Sequence, residues 1–372
     1  MKILHISSAR VDYPGGTEKV IWELAKRQAA KNEVTILQTN LYQEKEPFVK
    51  EDEKEDVKIL TCKNDFFLGG FGFSREFKKK LVSIWSNFDI IHIHGHGRFT
   101  SNFAMKFLDK KKPFVYSAQG FFHRRNIIKK AYDFLFGGRL KNAAICTALT
   151  EVEVNHLKNK FKISPKNIRV LSPGLDMNSL KKPSKKILDL FRKKYKLNRK
   201  TLLYVGRIHE SKGLQHVLDA IKDVDCKLLI VGKDSGYKPV LEEKARELGI
   251  QNKVIFTGAL DDDDLTKAYY SSDSFVLFSE WEGFGIVVIE AMASGLSVVV
   301  SNNGSLPHLV KDGINGYIAN SGKELKEKIL LALKGNKKII AEGEKFAKQF
   351  DWDSLTKNLE KNYAEAIKKS KK

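Results

Sequence analysis

Short apolar runs rich in Val, Ile and Leu alternate along the chain with longer stretches whose apolar positions recur three and four residues apart. The first pattern predicts buried strands and the second amphipathic helices. Their alternation predicts an α/β protein with parallel sheets covered by helices. In the first half, strands are expected at Met1–Ser7, Glu33–Gln38, Asp89–His94, Pro113–Ser117 and Ala143–Ala148. A helix is expected over Glu18–Lys31, with Val20, Ile21, Leu24 and Ala25 on one side. The pattern then restarts. Strands at Thr201–Val205, Lys227–Val231, Val254–Phe256, Ser274–Phe278 and Ser297–Ser301 enclose helices at Gly213–Ile221, Tyr237–Leu248, Leu265–Ser271 and Ile286–Ala293. The restart predicts two domains of similar build. Their break is expected near Pro173–Lys200, a turn followed by charge-rich, weakly apolar sequence. A last helix over Trp352–Lys369 would be apolar at Leu355, Leu359, Tyr363 and Ile367.

The length of 372 residues is comfortable for two cores. Cys62, Cys146 and Cys226 are far apart, and no CxxC or His-rich pair accompanies them, which argues against a disulfide framework and a zinc site. Met1–Ile6 runs straight into Ser7-Ser8-Ala9-Arg10 and reads as a buried first strand, too short for a signal peptide. No apolar run approaches the ~18 residues a bilayer span requires, so a cytoplasmic location is expected. The net charge is +21, and between Lys63 and Lys141 sixteen Lys/Arg face five Asp/Glu. Aromatics interleave with those cations at Phe66–Phe73 and Phe121–Phe136. Such segments suit an anionic membrane surface. Nucleic acid is the rival polyanion, and a solvated lysine face over a core helix would look the same.

The chemistry concentrates in the second half. Glu282 and Glu290 bracket Gly283-Phe284-Gly285-Ile286-Val287-Val288-Ile289, a glycine-loosened entry to an apolar helix that Gly295 is placed to end. Unpaired N–H groups at such a start suit a phosphate. Two carboxylates beside that cradle could read hydroxyls on an elongated sugar nucleotide. A buried helix with one capping glutamate accounts for the same run equally well. In Val205-Gly206-Arg207-Ile208-His209-Glu210-Ser211-Lys212-Gly213, Arg207 leaves the carboxyl end of a strand and Lys212 precedes a helix. In open parallel sheets ligands bind outside those strand ends. Two cations there could hold a diphosphate and neutralise a leaving group; alone, the loop reads more simply as a turn with solvated cations. Finding both features in one half-chain reverses that preference.

With these residues the chain resembles the retaining, nucleotide-sugar-dependent glycosyltransferases of family 4, which have the GT-B fold. The motifs are Gly-Arg-x4-Lys-Gly at 206–213, Glu-x7-Glu at 282–290, Asp312-Gly313-Ile314-Asn315-Gly316-Tyr317, Gly15-Gly16-Thr17-Glu18 and Asp89-Ile90-Ile91-His92-Ile93-His94. The resemblance implies two Rossmann-like doubly wound domains facing a cleft. An acceptor-binding domain would comprise 1–175 with the helix 353–372 crossing back onto it, and a donor-binding domain 176–352. It further implies that Arg207 and Lys212 contact the donor diphosphate, together with Gly206 and backbone amides around Phe284, Gly285, Ile286 and Val287. Glu282 would face the donor sugar and Glu290 the ribose. Gly15 and Gly16 would let a loop approach the acceptor and phosphates, and His94 would line the acceptor cleft. Three positions depart from the family pattern. Gln119 stands where a histidine is usual; it can hydrogen-bond a sugar but carries no charge. His308 replaces an acid in Gly304-Ser305-Leu306-Pro307-His308, and Pro173-Gly174-Leu175-Asp176 replaces an Asn-Gly pattern.

His92, His94 and His96 alternate and would share one face of a strand. A metal site there is conceivable, but a buried strand with a histidine at its active end is the expected reading. Asp261–Asp264 reads as an acidic helix cap, and in the first domain no Asp-x-Asp after a strand end marks a divalent donor site. The expected activity is metal-independent, retaining transfer of a hexose-type sugar from a UDP- or GDP-linked donor. The acceptor would be a glycan or lipid-linked molecule at the inner membrane face, with no nucleic-acid partner and no cofactor. A GT-B-like epimerase or phosphorylase, or a non-catalytic polyanion binder, is the alternative.

Overall fold

The computed structural model describes residues 1–13, 15–43, 45–68, 71–108, 112–118, 137–177 and 179–370. They form two compact units, Met1–Pro173 with Trp352–Lys372, and Gly174–Asp351.

The first unit contains β1 (Lys2–Ile6), β2 (Glu33–Thr39), β3 (Glu51–Lys54), β4 (Val57–Cys62), β5 (Phe66–Leu68), β6 (Phe71–Phe73), β7 (Ile90–His94), β8 (Phe114–Ser117), β9 (Ile145–Ala148) and β10 (Ile168–Val170). Eight of these form one sheet in the order β10-β9-β8-β7-β1-β2-β4-β3, and β5 pairs with β6 as a separate hairpin. Every neighbour in the large sheet is parallel except β3, which runs antiparallel to β4. The exposed Glu-Asp-Glu-Lys of β3 is a charged edge strand, which discourages pairing with another chain. The strands are apolar on both faces because helices cover both. Leu4, Ile6, Leu37, Ile91 and Ile93 pack on one side. Ile3, Val34, Ile36, Ile90 and Val115 pack on the other, against Trp352, Leu359, Tyr363 and Ala366 of the last helix, Trp352–Ser370.

The second unit contains β11 (Thr201–Val205), β12 (Lys227–Val231), β13 (Val254–Gly258), β14 (Ser274–Leu277), β15 (Ser297–Ser301) and β16 (Tyr317–Ala319), all parallel, in the order β13-β12-β11-β14-β15-β16. In both units the strand order reverses beside the first strand, between β1 and β7 and between β11 and β14. The loops leaving those strands part there and open a crevice at their carboxyl ends.

The helix expected from Leu265 begins earlier and spans Asp262–Tyr270, because the Asp261 carboxylate accepts the N–H of Asp264 at 2.7 Å and three acids join the first turn. The three cysteines are free and buried. Among the described residues no helix is long and apolar enough to cross a membrane.

Candidate active site

In the second unit, the loops after β11 and β14 meet the start of the helix Ile286–Ala293 around a pocket of about 240 Å³. Gly206, Arg207, Lys212, Glu282, Phe284, Gly285, Ile286 and Val287, all expected from the sequence, line it together with Tyr204. The Lys212 ammonium donates to both carboxylate oxygens of Glu282, at 3.0 and 2.8 Å. Their side chains are 14% and 18% exposed, sheltered enough that the pair is screened less than a surface ion pair, yet still reachable. Tyr204 is fully buried, and its hydroxyl donates to the Arg207 carbonyl at 2.8 Å, fixing the backbone from which the guanidinium leaves. Burial pushes the Tyr204 phenol well above its ordinary range, and the nearby Glu282 charge adds to this, so it remains a donor.

Two backbone devices hold the Glu282 loop. Gly285 caps the helix with φ +92°, and a Cβ there would lie 2.9 Å from Leu306 Cδ2. No side chain caps this helix end, and Ile286 and Val287, in the first turn whose N–H groups a helix leaves without internal partners, line the pocket. Gly304, with φ +60°, brings its backbone so close that a Cβ would sit 2.5 Å from the Glu282 carbonyl oxygen. Next to it, Ser305 donates its N–H to the Glu282 carbonyl at 3.0 Å and its hydroxyl to the Gly283 carbonyl at 2.5 Å. His308, three residues on, is exposed.

Glu290 does not line this pocket. It sits on the same helix, and its Oε2 accepts from the hydroxyl of the fully buried Tyr269 at 2.7 Å. Burial and the Glu290 charge push the Tyr269 phenol well above its ordinary range. Tyr204, Tyr269 and Ser305 escaped the sequence reading. A tyrosine in a buried strand or helix looks like core until its hydroxyl partner is known.

In the first unit, Gly15 caps the helix Gly16–Ala29, and a Cβ on Gly15 would lie 2.1 Å from Glu18 Oε2. Gly16 is exposed, with nothing within 4 Å of where a Cβ would stand. Gln119 and the aromatic, basic run Phe121–Phe136 lie outside the described residues.

The expectation that His94 lines an open cleft is corrected. His94 is 1% exposed. Side chains alternate along β7, so His92 and His94 face the same side as Ile90, the side covered by Gly16–Ala29 and the last helix. The β1–β7 register sets His5 opposite His92. His5 Nδ1 meets His94 Nε2 at 2.9 Å and His5 Nε2 meets Gln28 Oε1 at 2.7 Å. His92 Nδ1 meets the Tyr363 hydroxyl at 2.5 Å and His92 Nε2 the Ser117 hydroxyl at 2.6 Å. His96 lies past the strand end, with its Nδ1 2.8 Å from the Tyr116 hydroxyl. Among the described residues, the histidines grouped closely enough to suit a metal are His5, His92 and His94. Both ring nitrogens of His5 and of His92 are already engaged by protein groups, so the cluster reads as a hydrogen-bonded core network. Burial lowers His5 to about 4, against the opposing bond from Gln28, and holds His92 well below its ordinary value. Both rings are neutral near pH 7.

Two family models match the chain. "Glycosyltransferase Family 4" takes in residues 14–179 and "Glycosyl transferases group 1" residues 187–350. The chain is 30% identical over 243 residues to a D-inositol 3-phosphate glycosyltransferase of Corynebacterium aurimucosum, covering 61% of this chain and 58% of that one. It is 30% identical over 226 residues to the alpha-monoglucosyldiacylglycerol synthase of Streptococcus pneumoniae, covering 59% and 50%. The matches span from about a third to under two thirds of the length of the curated relatives. The crystal structure of Anabaena Alr3699/HepE in complex with UDP superposes with a TM-score of 0.81 at 19% identity, covering 98% of this chain and all of that one. With a family model on each unit and a two-unit fold shared end to end, the chain belongs to the group 1, family 4 glycosyltransferases and has their GT-B fold.

Proposed function

We propose that this chain is a retaining, metal-independent glycosyltransferase that moves a hexose from a UDP- or GDP-linked donor to a glycan or lipid-linked acceptor at the cytoplasmic membrane face. The observation that carries the reading is the convergence of Arg207, Lys212, Glu282 and the uncapped helix start on one pocket. A diphosphate there meets one guanidinium, one ammonium and the N–H groups of Ile286 and Val287, a fixed set of donors for the charge that develops as the sugar leaves. Lys212 and Glu282 hold each other in this structure. A bound diphosphate draws the ammonium toward itself and releases the Glu282 carboxylate to accept from sugar hydroxyls. Glu290, steadied by Tyr269, reads the ribose. The acceptor hydroxyl attacks from the face the leaving phosphate occupies, and that phosphate takes its proton, so the anomeric configuration is retained. Gln119 hydrogen-bonds the sugar without adding charge. The two cations supply the positive charge that the departing diphosphate needs.

Three further observations support the reading. Anabaena HepE is known in complex with UDP-glucose. One relative's name is that of a diacylglycerol glycolipid synthase. The cationic surplus between Lys63 and Lys141 matches an anionic lipid surface.

A thermal-shift panel of UDP-, GDP- and ADP-sugars, each with and without EDTA, tests the donor. At a hundredfold excess over Kd a bound donor adds about 2.7 kcal/mol of stability. UDP- or GDP-sugars should raise Tm with EDTA present, and Lys212→Ala should abolish the rise. If no nucleotide sugar moved Tm, the reading would be lost.

A further inference from the structure

Between Lys181 and Lys200 ten Lys/Arg meet one acid, Asp189, a denser surplus than that between Lys63 and Lys141. The run lies in the second unit and folds in part into the helix Lys185–Lys194. The inner side of that helix is well held. Leu188 and Phe191 are buried, the Phe191 ring packs on Tyr195 with centroids 4.7 Å apart, and the helix lies against Asp262–Tyr270. The Arg192 guanidinium donates to the carbonyls of Leu197 and Arg199 at 2.7 and 3.1 Å, and to that of Ser271. Arg192 thus serves the fold and fixes the helix in place.

The outer side is unlike an ordinary solvated face. Leu190 is 60% and Ile187 42% exposed. Residues three and four apart are neighbours on a helix surface, so Leu190 is ringed by Lys186, Ile187, Lys193 and Lys194. Lys186 and Lys193 are exposed and, among the described residues, make no ion pair. Lys194 lies 3.4 Å from Asp264, an acid that also holds Lys267 at 2.7 Å. Asp261–Asp264 therefore border the face at its Lys194 end, where the Asp261 carboxylate is taken up by the N–H of Asp264. Lys181, Lys182, Lys185 and Lys196, placed before the helix, at its start and beyond its end, are exposed too. An aliphatic pair in water amid lysines is the composition of a helix that lies on an anionic lipid surface.

We propose that this face of the second unit is a membrane-docking surface: Ile187 and Leu190 enter the headgroup boundary of an anionic bilayer while Lys186 and Lys193 pair with lipid phosphates. The lysines are drawn by the negative surface potential, and the two aliphatic side chains leave water. Nucleic acid fits less well, because aliphatic side chains give bases no platform on which to stack. A second copy of the same face would set lysine against lysine. The surface lies outside the cationic surplus of the first unit, so the second unit meets the bilayer through contacts of its own. That the bound membrane carries the acceptor rests on the function proposed above; the docking itself does not.

The test is co-sedimentation of the full chain with phosphatidylcholine vesicles, with and without phosphatidylglycerol, at low ionic strength. Binding to a single-stranded oligonucleotide and the nucleotide-sugar thermal shift are measured in parallel. The wild type should sediment with the anionic vesicles and far less with the neutral ones. Lys186→Gln with Lys193→Gln should weaken partitioning on the order of tenfold, and Ile187→Ser with Leu190→Ser by a similar factor of about ten. All four positions are exposed, so Tm without ligand should hold. Lys323→Gln with Lys348→Gln removes the same charge from exposed sites elsewhere on the unit and should weaken partitioning less than about threefold. Equal losses from the two lysine pairs would overturn the proposal, as would no wild-type binding to anionic vesicles. So would oligonucleotide binding through these residues without vesicle binding. Anionic-vesicle binding that survives both face variants would sink this surface and leave the proposed enzyme untouched. Docking that depends on the face, in a protein that no nucleotide sugar stabilises, would uphold the surface and sink only the donor assignment.

Discussion

In the second unit the loops leaving β11 and β14 carry Arg207, Lys212 and Glu282 into a pocket of about 240 Å³. In the first, the loops leaving β2 and β4 carry Tyr42, Gln43, Phe66 and Phe67 around a cleft of about 420 Å³. Both sheets are doubly wound, and both clefts open at carboxyl strand ends. Their linings differ in kind. The smaller pocket gathers two cations, a carboxylate and a helix start, whereas the larger cleft is edged by aromatic rings and by Lys45, Glu46 and Asp65. One topology thus presents two unlike surfaces through its loops alone.

The largest expected effect separates the two units. Arg207→Ala should lower turnover by an amount on the order of 10²-fold, as for a lost oxyanion donor, measured as nucleotide released in the presence of acceptor. Its unfolding in urea without donor should match the wild type; a matching loss of stability would show that Arg207 holds the fold rather than the donor. A smaller effect belongs to the first unit. Tyr363→Phe leaves His92 Nδ1 without its buried partner and should cost about 1–3 kcal/mol of stability in urea unfolding. Its affinity for a nucleotide sugar should match the wild type, and a matching loss of affinity would break the separation from the other side. The smallest lies within the second unit. Tyr269→Phe removes the donor to Glu290 and should raise the donor KM by roughly fivefold to tenfold, equivalent to about 1 kcal/mol, with kcat little changed. An unaltered KM would free Glu290 from the ribose role.

How much of this the sequence discloses depends on what each segment packs against. β11, β12 and β15 fall within the bounds that their apolar runs predict, because strands buried on both faces are apolar throughout. β4 was not foreseen. Its Val57-Lys58-Ile59-Leu60-Thr61-Cys62 is flanked by charge and shows as a strand only through its pairing with β2. β3, wholly charged, carries no apolar signal at all. In the candidate site, residues whose role is electrostatic stand out by type and spacing, as Arg207, Lys212 and Glu282 do. Residues that steady them, Tyr204 and Tyr269, are hidden among core aromatics. His94 misled for a related reason: its place near a strand end indicated access, while the register that buries it against His5 arises only from pairing β1 with β7.

The last helix carries a consequence for how such a protein can be taken apart. Trp352, Leu359, Tyr363 and Ala366 are structural members of a body whose other residues end at Pro173. The chain is therefore a host interrupted by a guest. A gene cut after codon 173 would strip one face of the first sheet of the four buried residues that the last helix supplies, whereas residues 174–351 form a cassette with two junctions. Exchanging the second unit between relatives, in the laboratory or by recombination, calls for replacement of that insert as a whole, not the joining of two halves.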